Sequence, residues 1–256
     1  MNKVSCLMLT LDRFEHFERS FACYCRQTYS PRELIVVCDG AMTYVDRIGA
    51  LIRQHARQDV KLVYVAQRLP VGALRNIAIE VAEGPLVCQW DDDDLYHPER
   101  LRLQIEHMQS LGRPVSFLVD QLQLFWDRRE LYWCDWSFGP TGGVIPGTLL
   151  ARKDVLPRYP GGVTYHEDLA LVKRIGELQI PVARLAGKGY IYIYSYHGAN
   201  NFQREHHASI TKWAGTPVKT LRRWLDTITK ELAEYPIQPP LSIVGSDGKV
   251  AGQWNG

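Results

Sequence analysis

Short apolar runs alternate with amphipathic segments through the first 110 residues, and this alternation restricts the chain to few folds. The runs predict strands at 4–10, 33–39, 61–65 and 85–90, and the segments predict helices at 14–27, 44–56, 71–82 and 98–110. Pro70 and Gly84 flank the third helix in the order that favours a helix start and a helix end. Strands that alternate with helices build a mostly parallel sheet covered on both faces. We therefore predict an α/β fold with a Rossmann-like, mostly parallel central sheet.

The second half of the chain has a different pattern. Paired strands are expected at 115–125 and 130–136, a further strand at 148–151, a helix at 168–178 and a last strand at 190–194. A Gly/Pro-rich loop at 139–147 and a polar loop from residue 197 separate these elements. We interpret this part as a smaller β layer that continues the first half in one domain, residues 1–215.

Residues 216–235 predict a C-terminal helix. Its apolar residues recur at helical spacing and form one stripe, and its start is basic: Leu221, Trp224, Leu225, Ile228 and Leu232, with Lys219, Arg222 and Arg223. Packing of the stripe on the body is favoured over docking at a membrane or a partner. Residues 236–256 contain three prolines and four glycines, so we expect an extended or loosely ordered tail.

Composition excludes several classes of protein. With 46% hydrophobic and 23% charged residues and a net charge of +2, the chain has no excess charge that would demand nucleic acid or an anionic membrane. It has neither an apolar stretch of about 18 residues nor the apolar core of a signal peptide, so a cytoplasmic location is expected. The six cysteines form no Cys-x-x-Cys pair and are expected to be reduced and structural.

Four consecutive aspartates, Asp91–Asp94, directly follow the predicted strand 85–90. Adjacent carboxylates repel one another, so we expect a divalent cation or donors on a ligand to compensate their charge. The alternative is that the four aspartates form an ordinary solvated turn without a functional role. Thr10 and Asp39 also end predicted strands, and the carboxyl ends of parallel strands share one edge of the sheet. The sequence therefore predicts a polar site at this edge.

Several segments in order along the chain resemble the family-2 glycosyltransferases with the GT-A fold. They are Val4-Ser-Cys-Leu-Met-Leu-Thr, Glu33-Leu-Ile-Val-Val-Cys-Asp-Gly, Arg75-Asn76, Asp91-Asp-Asp-Asp-Leu-Tyr-His-Pro-Glu-Arg-Leu and Glu167-Asp168. The resemblance covers roughly residues 3–200. It implies a nucleotide-sugar-binding half at 1–112, an acceptor-side half at 113–215, and transfer of a sugar from a nucleotide-diphosphate donor, usually with inversion. It also implies a divalent cation, Mn²⁺ or Mg²⁺, and favours a UDP-sugar as the donor.

On the donor side the resemblance assigns Thr10 and Asp39 to the nucleoside base. Arg68 and Arg75 become candidates for the base or the diphosphate, with an ordinary exposed charge as the alternative. Asp91 and Asp93 match the Asp-x-Asp of the family, so Asp93 is the expected metal ligand. Asp91 or Asp92 is expected nearer the ribose, and the register of these roles stays open by one residue. Asp94 is expected to cap the following segment. Cys38 and Ala41 depart from the commoner Asp-Asp-Gly-Ser pattern, so the identity of the base stays open.

On the acceptor side the resemblance assigns Asp168 as the catalytic base, with Glu167 as the fallback. Capping of a helix N-terminus is the structural alternative for Asp168. His197 is expected to bind the metal or the diphosphate, and Arg204 to reach the diphosphate from the same loop. His206 and His207 are expected on the surface. Three tryptophans are expected in the core, with stacking on a sugar ring as the alternative: Trp126, Trp133 and Trp136.

Two other functions remain open from the sequence. A nucleotide-sugar-binding module without turnover would keep the donor residues, and a nucleotidyltransferase would need a glycine-rich loop after the first strand, which Thr10-Leu-Asp-Arg-Phe lacks. The acceptor could be a glycan, a lipid-linked saccharide, a protein or another hydroxyl compound. The basic start of the C-terminal helix leaves peripheral association with the inner face of a membrane as an option.

Overall fold

The computed structural model describes residues 2–256. Its strands are β1 (Val4–Thr10), β2 (Arg32–Cys38), β3 (Val60–Tyr64), β4 (Leu86–Gln89), β5 (Leu95–Tyr96), β6 (Val115–Leu118), β7 (Asp120–Phe125), β8 (Glu130–Asp135), β9 (Leu150–Arg152), β10 (Val182–Leu185), β11 (Tyr192–Tyr196), β12 (Leu241–Val244) and β13 (Val250–Trp254). Its α-helices are α1 (Phe14–Cys25), α2 (Met42–Gln54), α3 (Val71–Val81), α4 (Arg100–Ser110), α5 (Glu167–Glu177), α6 (Arg204–Trp213), α7 (Val218–Leu221) and α8 (Leu225–Leu232). The elements predicted for the first half of the chain are confirmed within a few residues.

The central sheet has seven strands in the order β10-β6-β9-β4-β1-β2-β3. Strand β1 pairs in parallel with both β2 and β4, and only β9 runs antiparallel to its neighbours within this sheet. The chain therefore winds outwards in both directions from β1, and a crevice opens beyond the carboxyl ends of β1, β2 and β4, where such sheets bind ligands.

Both faces of the central sheet are buried because successive side chains of a strand point to opposite faces. Cys6 and Met8 of β1 pack in one apolar cluster with Phe17 of α1. Leu7 lies in the opposite cluster with Leu74 of α3. The near-continuous apolar runs of β1, β2 and β4 follow from this two-sided burial. All six cysteines are unpaired in the described part of the chain, and five of them are buried.

A second sheet of six strands, in the order β13-β12-β8-β7-β11-β5, forms the smaller layer. The single strand predicted at 115–125 is two strands that belong to different sheets. The chain crosses between the sheets at Val119, whose N–H donates to Leu185 O. A continuous apolar run cannot reveal such a crossing, because both strands are buried.

The predicted C-terminal helix is broken into α7 and α8. Leu221, Ile228 and Leu232 are fully buried, and Trp224 stacks on Trp133 with 4.8 Å between ring centroids. The stripe thus packs on the body, as the sequence analysis favoured. Within residues 2–256, no helix combines the length and the hydropathy needed to cross a membrane.

Of the two expectations for the tail, the extended chain agrees with the structure and the loose order does not. Strands β12 and β13 form a hairpin, and β12 extends the second sheet by pairing in parallel with β8. Leu241 and Ile243 are fully buried, and Trp254 is 7% exposed. The alternation of Leu241 and Ile243 is the period of a half-buried strand, a signal that the proline and glycine content obscured.

Glu33 forms a buried ionic cluster at the edge of the sheet opposite the crevice. Its Oε1 accepts hydrogen bonds from Ser5 Oγ at 2.6 Å and from the N–H of Glu83 at 2.7 Å, while Lys3 and Lys61 approach Oε2 at 3.2 and 3.0 Å. Burial raises the pKa of Glu33, but the hydrogen bonds from Ser5 and Glu83 and the two lysines outweigh it and lower the pKa to about 2. The folded state therefore stabilises the carboxylate form.

We expect this cluster to make stability depend on pH. A carboxylate whose pKa is lower in the folded state stabilises the fold above its unfolded pKa and loses that contribution as the pH falls through the folded pKa. The difference in the free energy of unfolding between the native chain and Glu33→Gln should be about 3 kcal/mol near pH 7 and should shrink between roughly pH 4.5 and 2. Urea titrations across this range measure it, with Glu18→Gln, an exposed carboxylate outside the cluster, as the control. A difference that is constant with pH would contradict the assignment.

Candidate active site

A cleft of about 670 Å³ opens at the carboxyl ends of β1, β2 and β4. It brings together nine of the eleven residues that the sequence analysis assigned to the site: Thr10, Asp39, Arg68, Arg75, Asp91, Asp92, Asp93, Glu167 and Asp168. His197 contacts Asp93 from the side. Arg204 lies elsewhere: its guanidinium pairs with Asp127 on the surface and does not line the cleft, so the structure does not support its expected reach to the diphosphate.

Thr10 and Asp39 lie at the ends of adjacent strands, as predicted. Asp39 accepts hydrogen bonds from Leu69 N at 3.3 Å and from Arg68 Nη1 at 3.2 Å. Thr10 is buried and donates to Asp92 Oδ2 at 2.7 Å, with Tyr44 OH 2.5 Å from its hydroxyl. Thr10 therefore orients a carboxylate, whereas Asp39, whose side chain is only 5% exposed, pairs with the exposed Arg68 at the cleft.

The chain itself supplies partners for all four aspartates, which corrects the expectation that a cation or a ligand must do so. Asp91 Oδ1 accepts from Arg75 Nη2 at 2.6 Å. Asp92 Oδ1 and Asp93 Oδ2 accept from the two ends of the Arg13 guanidinium at 2.5 and 2.7 Å. The run is thus neither a solvated turn nor an uncompensated cluster of negative charge.

Asp94 holds the second sheet to the site. Its carboxylate accepts from Tyr192 OH at 2.5 Å and from Ser195 N at 3.0 Å, both on β11. The expected capping of the following segment was therefore wrong, although the role is structural. Burial raises the pKa of Asp94, and it also raises the pKa of Asp92, to about 7 despite the nearby Arg13.

Asp93 differs from its neighbours in its surroundings. Burial raises its pKa, but Arg13 and His197 outweigh burial and hold the pKa below its usual range. His197 Nε2 and Asn200 Nδ2 each lie 3.4 Å from Asp93 Oδ2, and the His197 ring stacks on His16 at 3.6 Å. Asp93 is therefore an anion held among nitrogen groups at the side of the cleft.

Arg75 bridges two parts of the site that are distant in sequence. Besides its bond to Asp91, its Nε lies 3.6 Å from Glu167 Oε1. The guanidinium is buried, and the two carboxylates, with Asp91 the larger influence, oppose the effect of burial and raise its pKa. Burial raises the pKa of Glu167 to about 7, although Arg75 opposes it. This bridge fixes the start of α5 against the end of β4.

Asp168 and Glu167 begin α5 at the cleft. The residue before them, His166, has φ of 61°, a left-handed conformation that costs energy for a residue with a side chain. His166 occupies the N-cap position, so Asp168 is not the cap, contrary to the structural alternative; its Oδ1 instead accepts from Leu169 N at 2.7 Å. Burial raises the pKa of Asp168. This carboxylate faces the cleft without a side-chain cation at hydrogen-bond distance.

Two residues near Asp93 were missed by the sequence analysis, Arg13 and Asn200. Arg13 lies three residues beyond β1, on the first loop at the binding edge of the sheet, and a basic residue at that place was a usable signal. Asn200 lies in the loop after β11, where the sequence offered no signal that would separate it from Asn201.

Aromatic residues form part of the cleft wall, which we call the aromatic wall. Trp136 lines the cleft, and Phe202 stacks on His206 with 4.4 Å between ring centroids. Trp126 lies under the Arg19 guanidinium, and Trp133 packs in the core. His207 is fully buried, so the expectation that it lies on the surface was wrong. His207 lies on the buried face of α6, and the polar composition of this segment concealed the helix in the sequence.

Comparisons with known proteins relate the chain to glycosyltransferases. It is 32% identical over 110 residues to an Escherichia coli protein named for a glycosyl transferase of colanic acid biosynthesis, WcaA, covering 42% of this chain and 38% of WcaA. It is 26% identical over 118 residues to MJ1057 of Methanocaldococcus jannaschii, named an uncharacterized glycosyltransferase, covering 45% of this chain and 40% of MJ1057. The matched segments thus span about two fifths of these relatives.

Solved structures agree in fold. S. aureus TarS 1-349 in complex with UDP has a TM-score of 0.63 at 16% identity, covering 88% of this chain and 72% of the TarS 1-349 chain. The mannosyltransferase PcManGT from Pyrobaculum calidifontis, in complex with GDP-Man and Mn²⁺, has a TM-score of 0.60 at 13% identity, covering 93% and 66%. These similarities confirm the predicted GT-A type of α/β fold.

The family model described as Glycosyl transferase family 2 matches residues 5–144, which include β1, the aspartate run and the start of the second sheet. Because this match extends over more than half of the 256 residues, the chain belongs to glycosyl transferase family 2.

Proposed function

We propose that this chain transfers a sugar from a nucleotide-diphosphate donor to an acceptor hydroxyl, with inversion at the sugar carbon and with Asp168 as the base. The observation that carries the proposal is the convergence of Asp39, Arg68, the aspartate run and Asp168 on one cleft. The volume of the cleft, about 670 Å³, is within the usual range for small-molecule sites.

The donor would bind with its nucleoside at the ends of β1 and β2. Asp39 can accept a hydrogen bond from a base N–H, and the exposed Arg68 is free to turn towards a base or a phosphate. TarS is known in complex with UDP and UDP-GlcNAc, and PcManGT with GDP-Man. A UDP-sugar is our first choice of donor, with a GDP-sugar as the alternative.

A divalent cation, Mn²⁺ or Mg²⁺, fits the residues beside Asp93. Within residues 2–256, no three His, Cys, Asp or Glu side chains are arranged to surround one ion. Asp93 Oδ2 and His197 Nε2, 3.4 Å apart, could contribute two ligands, which suits an ion that takes its other ligands from water and substrate phosphates. Such an ion would offset the charge on the leaving diphosphate. The imidazole ligand favours Mn²⁺ over Mg²⁺.

The remaining chemistry belongs to side chains of the chain itself. Arg75 would hold Asp91 and the start of α5 in a fixed relation, so that donor and acceptor meet in line. Asp168 would accept the proton of the attacking hydroxyl, and its raised pKa makes it a stronger base than an exposed aspartate. Glu167 is less suited to this role, because Arg75 already engages it.

The acceptor would enter along the aromatic wall. Trp136, Phe202 and Ile210 line that side of the cleft and suit the apolar face of a saccharide ring. The exposed Arg222 and Arg223 lie beyond the buried stripe of α7 and α8, and would be the residues to contact an anionic membrane if the acceptor is lipid-linked.

Binding of candidate donors tests the proposal. We expect one nucleoside diphosphate, from a panel that includes UDP and GDP, to raise the melting temperature in the presence of Mn²⁺, and we expect Asp93→Ala to abolish that metal-dependent shift. Asp154→Ala, which removes an exposed carboxylate that does not line the cleft, is the matched control. Absence of a shift with every nucleotide and nucleotide sugar would contradict the proposal. A shift without transfer to any of a range of saccharide acceptors would favour the binding module.

A further inference from the structure

Arg13 forms the most direct contact of any cation with the candidate metal ligand. Its Nη1 lies 2.7 Å from Asp93 Oδ2 and its Nη2 lies 2.5 Å from Asp92 Oδ1, so one guanidinium spans two adjacent carboxylates. The Arg13 side chain is 20% exposed and that of Asp92 only 1%. A contact of this kind, removed from most of the solvent, is considerably stronger than a surface ion pair.

The oxygen that Arg13 engages is also the one that a metal would need. Asp93 Oδ2 is also the oxygen of this carboxylate that His197 Nε2 and Asn200 Nδ2 approach, each at 3.4 Å. A cation bound there at about 2.1 Å would lie within a few ångströms of the guanidinium, where two positive charges repel each other. Arg13 and a divalent metal therefore cannot both occupy Asp93 Oδ2 without a large cost.

A neighbouring cavity can receive the Arg13 guanidinium when it leaves Asp93. Arg13 lines both the main cleft and a neighbouring cavity of about 580 Å³. The second cavity also contains Glu15 and Tyr44, which offer the guanidinium an alternative carboxylate and hydroxyl. The preceding residue, Asp12, has φ of 48°, so the loop that carries Arg13 is held in an uncommon conformation.

We propose that Arg13 is an internal counter-cation, which neutralises Asp92 and Asp93 in the metal-free chain and must be displaced before a divalent metal binds. This inference rests on the proposed function in one respect, the metal at Asp93. The contact of Arg13 with Asp93 makes metal binding weak in the free chain. Metal binding becomes stronger once the phosphates of a donor add their own ligands and draw the guanidinium away. Arg13 is then a positioning residue that couples metal binding to donor binding.

Direct metal titration tests the inference without an activity assay. The amount of Mn²⁺ bound would be measured by electron paramagnetic resonance in the absence of nucleotide, for the native chain, Arg13→Met and Arg13→Lys. We expect Arg13→Met to bind Mn²⁺ at least about tenfold more tightly, the size of one lost charge-assisted hydrogen bond. Arg13→Lys keeps the positive charge but cannot bridge two carboxylates as a planar guanidinium does, so its Mn²⁺ affinity should lie between those of the native chain and Arg13→Met.

Removal of a positive charge outside both cavities is the matched control. Arg204 pairs with Asp127 on the surface and lines neither cavity, so Arg204→Met should change the Mn²⁺ affinity by no more than about twofold. Arg13→Met should also melt at a lower temperature than the native chain in chelator, and Mn²⁺ should restore much of that loss. If Arg13→Met does not fold, Arg13→Lys and the native chain still provide the comparison.

Weaker or unchanged Mn²⁺ binding by Arg13→Met would overturn the inference, since Arg13 would then support the site rather than compete for it. Absence of Mn²⁺ binding by all three proteins, with and without nucleotide, would overturn it as well. Nucleotide binding in chelator, measured by calorimetry, separates this outcome from a failure of the proposed function. A chain that binds UDP or GDP there keeps its donor site even if Arg13 excludes metals altogether.

Discussion

Asp168→Asn is expected to lower kcat by about 10²- to 10⁴-fold, the usual contribution of a positioned general base. The amide keeps the size of the side chain and its bond to the N–H of Leu169, but it cannot accept the proton of the attacking hydroxyl. Donor binding should change little, because Asp168 contacts none of the donor-side residues. Release of nucleoside diphosphate in the presence of a screened acceptor measures kcat, and calorimetry measures donor affinity.

Glu167→Gln is the comparison that identifies the base. It removes a carboxylate from the same turn of α5, but one whose main contact is Arg75, so its effect on kcat should be much smaller. Loss of kcat in Glu167→Gln with near-native turnover in Asp168→Asn would assign the base to Glu167. The pH profile adds an independent check. Burial raises the pKa of Asp168, so the base is protonated at a higher pH than an exposed aspartate would be. As the pH is lowered, activity should therefore be lost earlier than it would be with an exposed aspartate as the base.

Arg75→Gln is expected to lower the free energy of unfolding by about 3 to 5 kcal/mol, the cost of breaking a buried ion pair by removing one partner. Its guanidinium is 6% exposed and compensates both Asp91 and Glu167, so the variant would leave two carboxylates without their cation. Urea unfolding monitored by circular dichroism measures the change.

The control is Arg68→Gln, which removes an arginine–aspartate pair at the same cleft. The Arg68 side chain is 63% exposed and Asp39 keeps its hydrogen bond from Leu69 N, so this variant should cost no more than about 1 kcal/mol. Adding Glu167→Gln to Arg75→Gln should recover part of the loss, since one of the two unpaired charges is then removed. Similar costs for the Arg75 and Arg68 variants would contradict the buried bridge.

Much of the candidate site could be predicted before the fold was known. Thr10, Asp39 and Asp91 end three apolar runs, and the alternation of strands and helices makes those strands parallel neighbours. The carboxyl ends of parallel strands lie at one edge of a sheet, so the order of elements is enough to bring these residues together. Glu167 and Asp168 came from the resemblance to the family, since no local pattern distinguishes a base from a residue at a helix start.

The charge balance of the site could not be predicted in the same way. The aspartate run required compensation, and the sequence analysis assigned that role to a metal or a ligand. In the fold, Arg13 and Arg75 reach the run from loop and helix positions 80 and 16 residues away, and Tyr192 and Ser195 reach it from about 100 residues away. Which cation meets which carboxylate depends on side-chain reach across packed elements.

Local periodicity by itself determined the central sheet, its covering helices and the edge where the polar residues gather, because these follow from hydrophobic spacing along short segments. The tertiary structure decided what depends on contacts between distant segments. It split the apolar run 115–125 between two sheets, paired the C-terminal hairpin with β8 and placed His207 on the buried face of α6. Burial and pairing partners are properties of the packed chain, and a residue's own neighbours in sequence do not specify them.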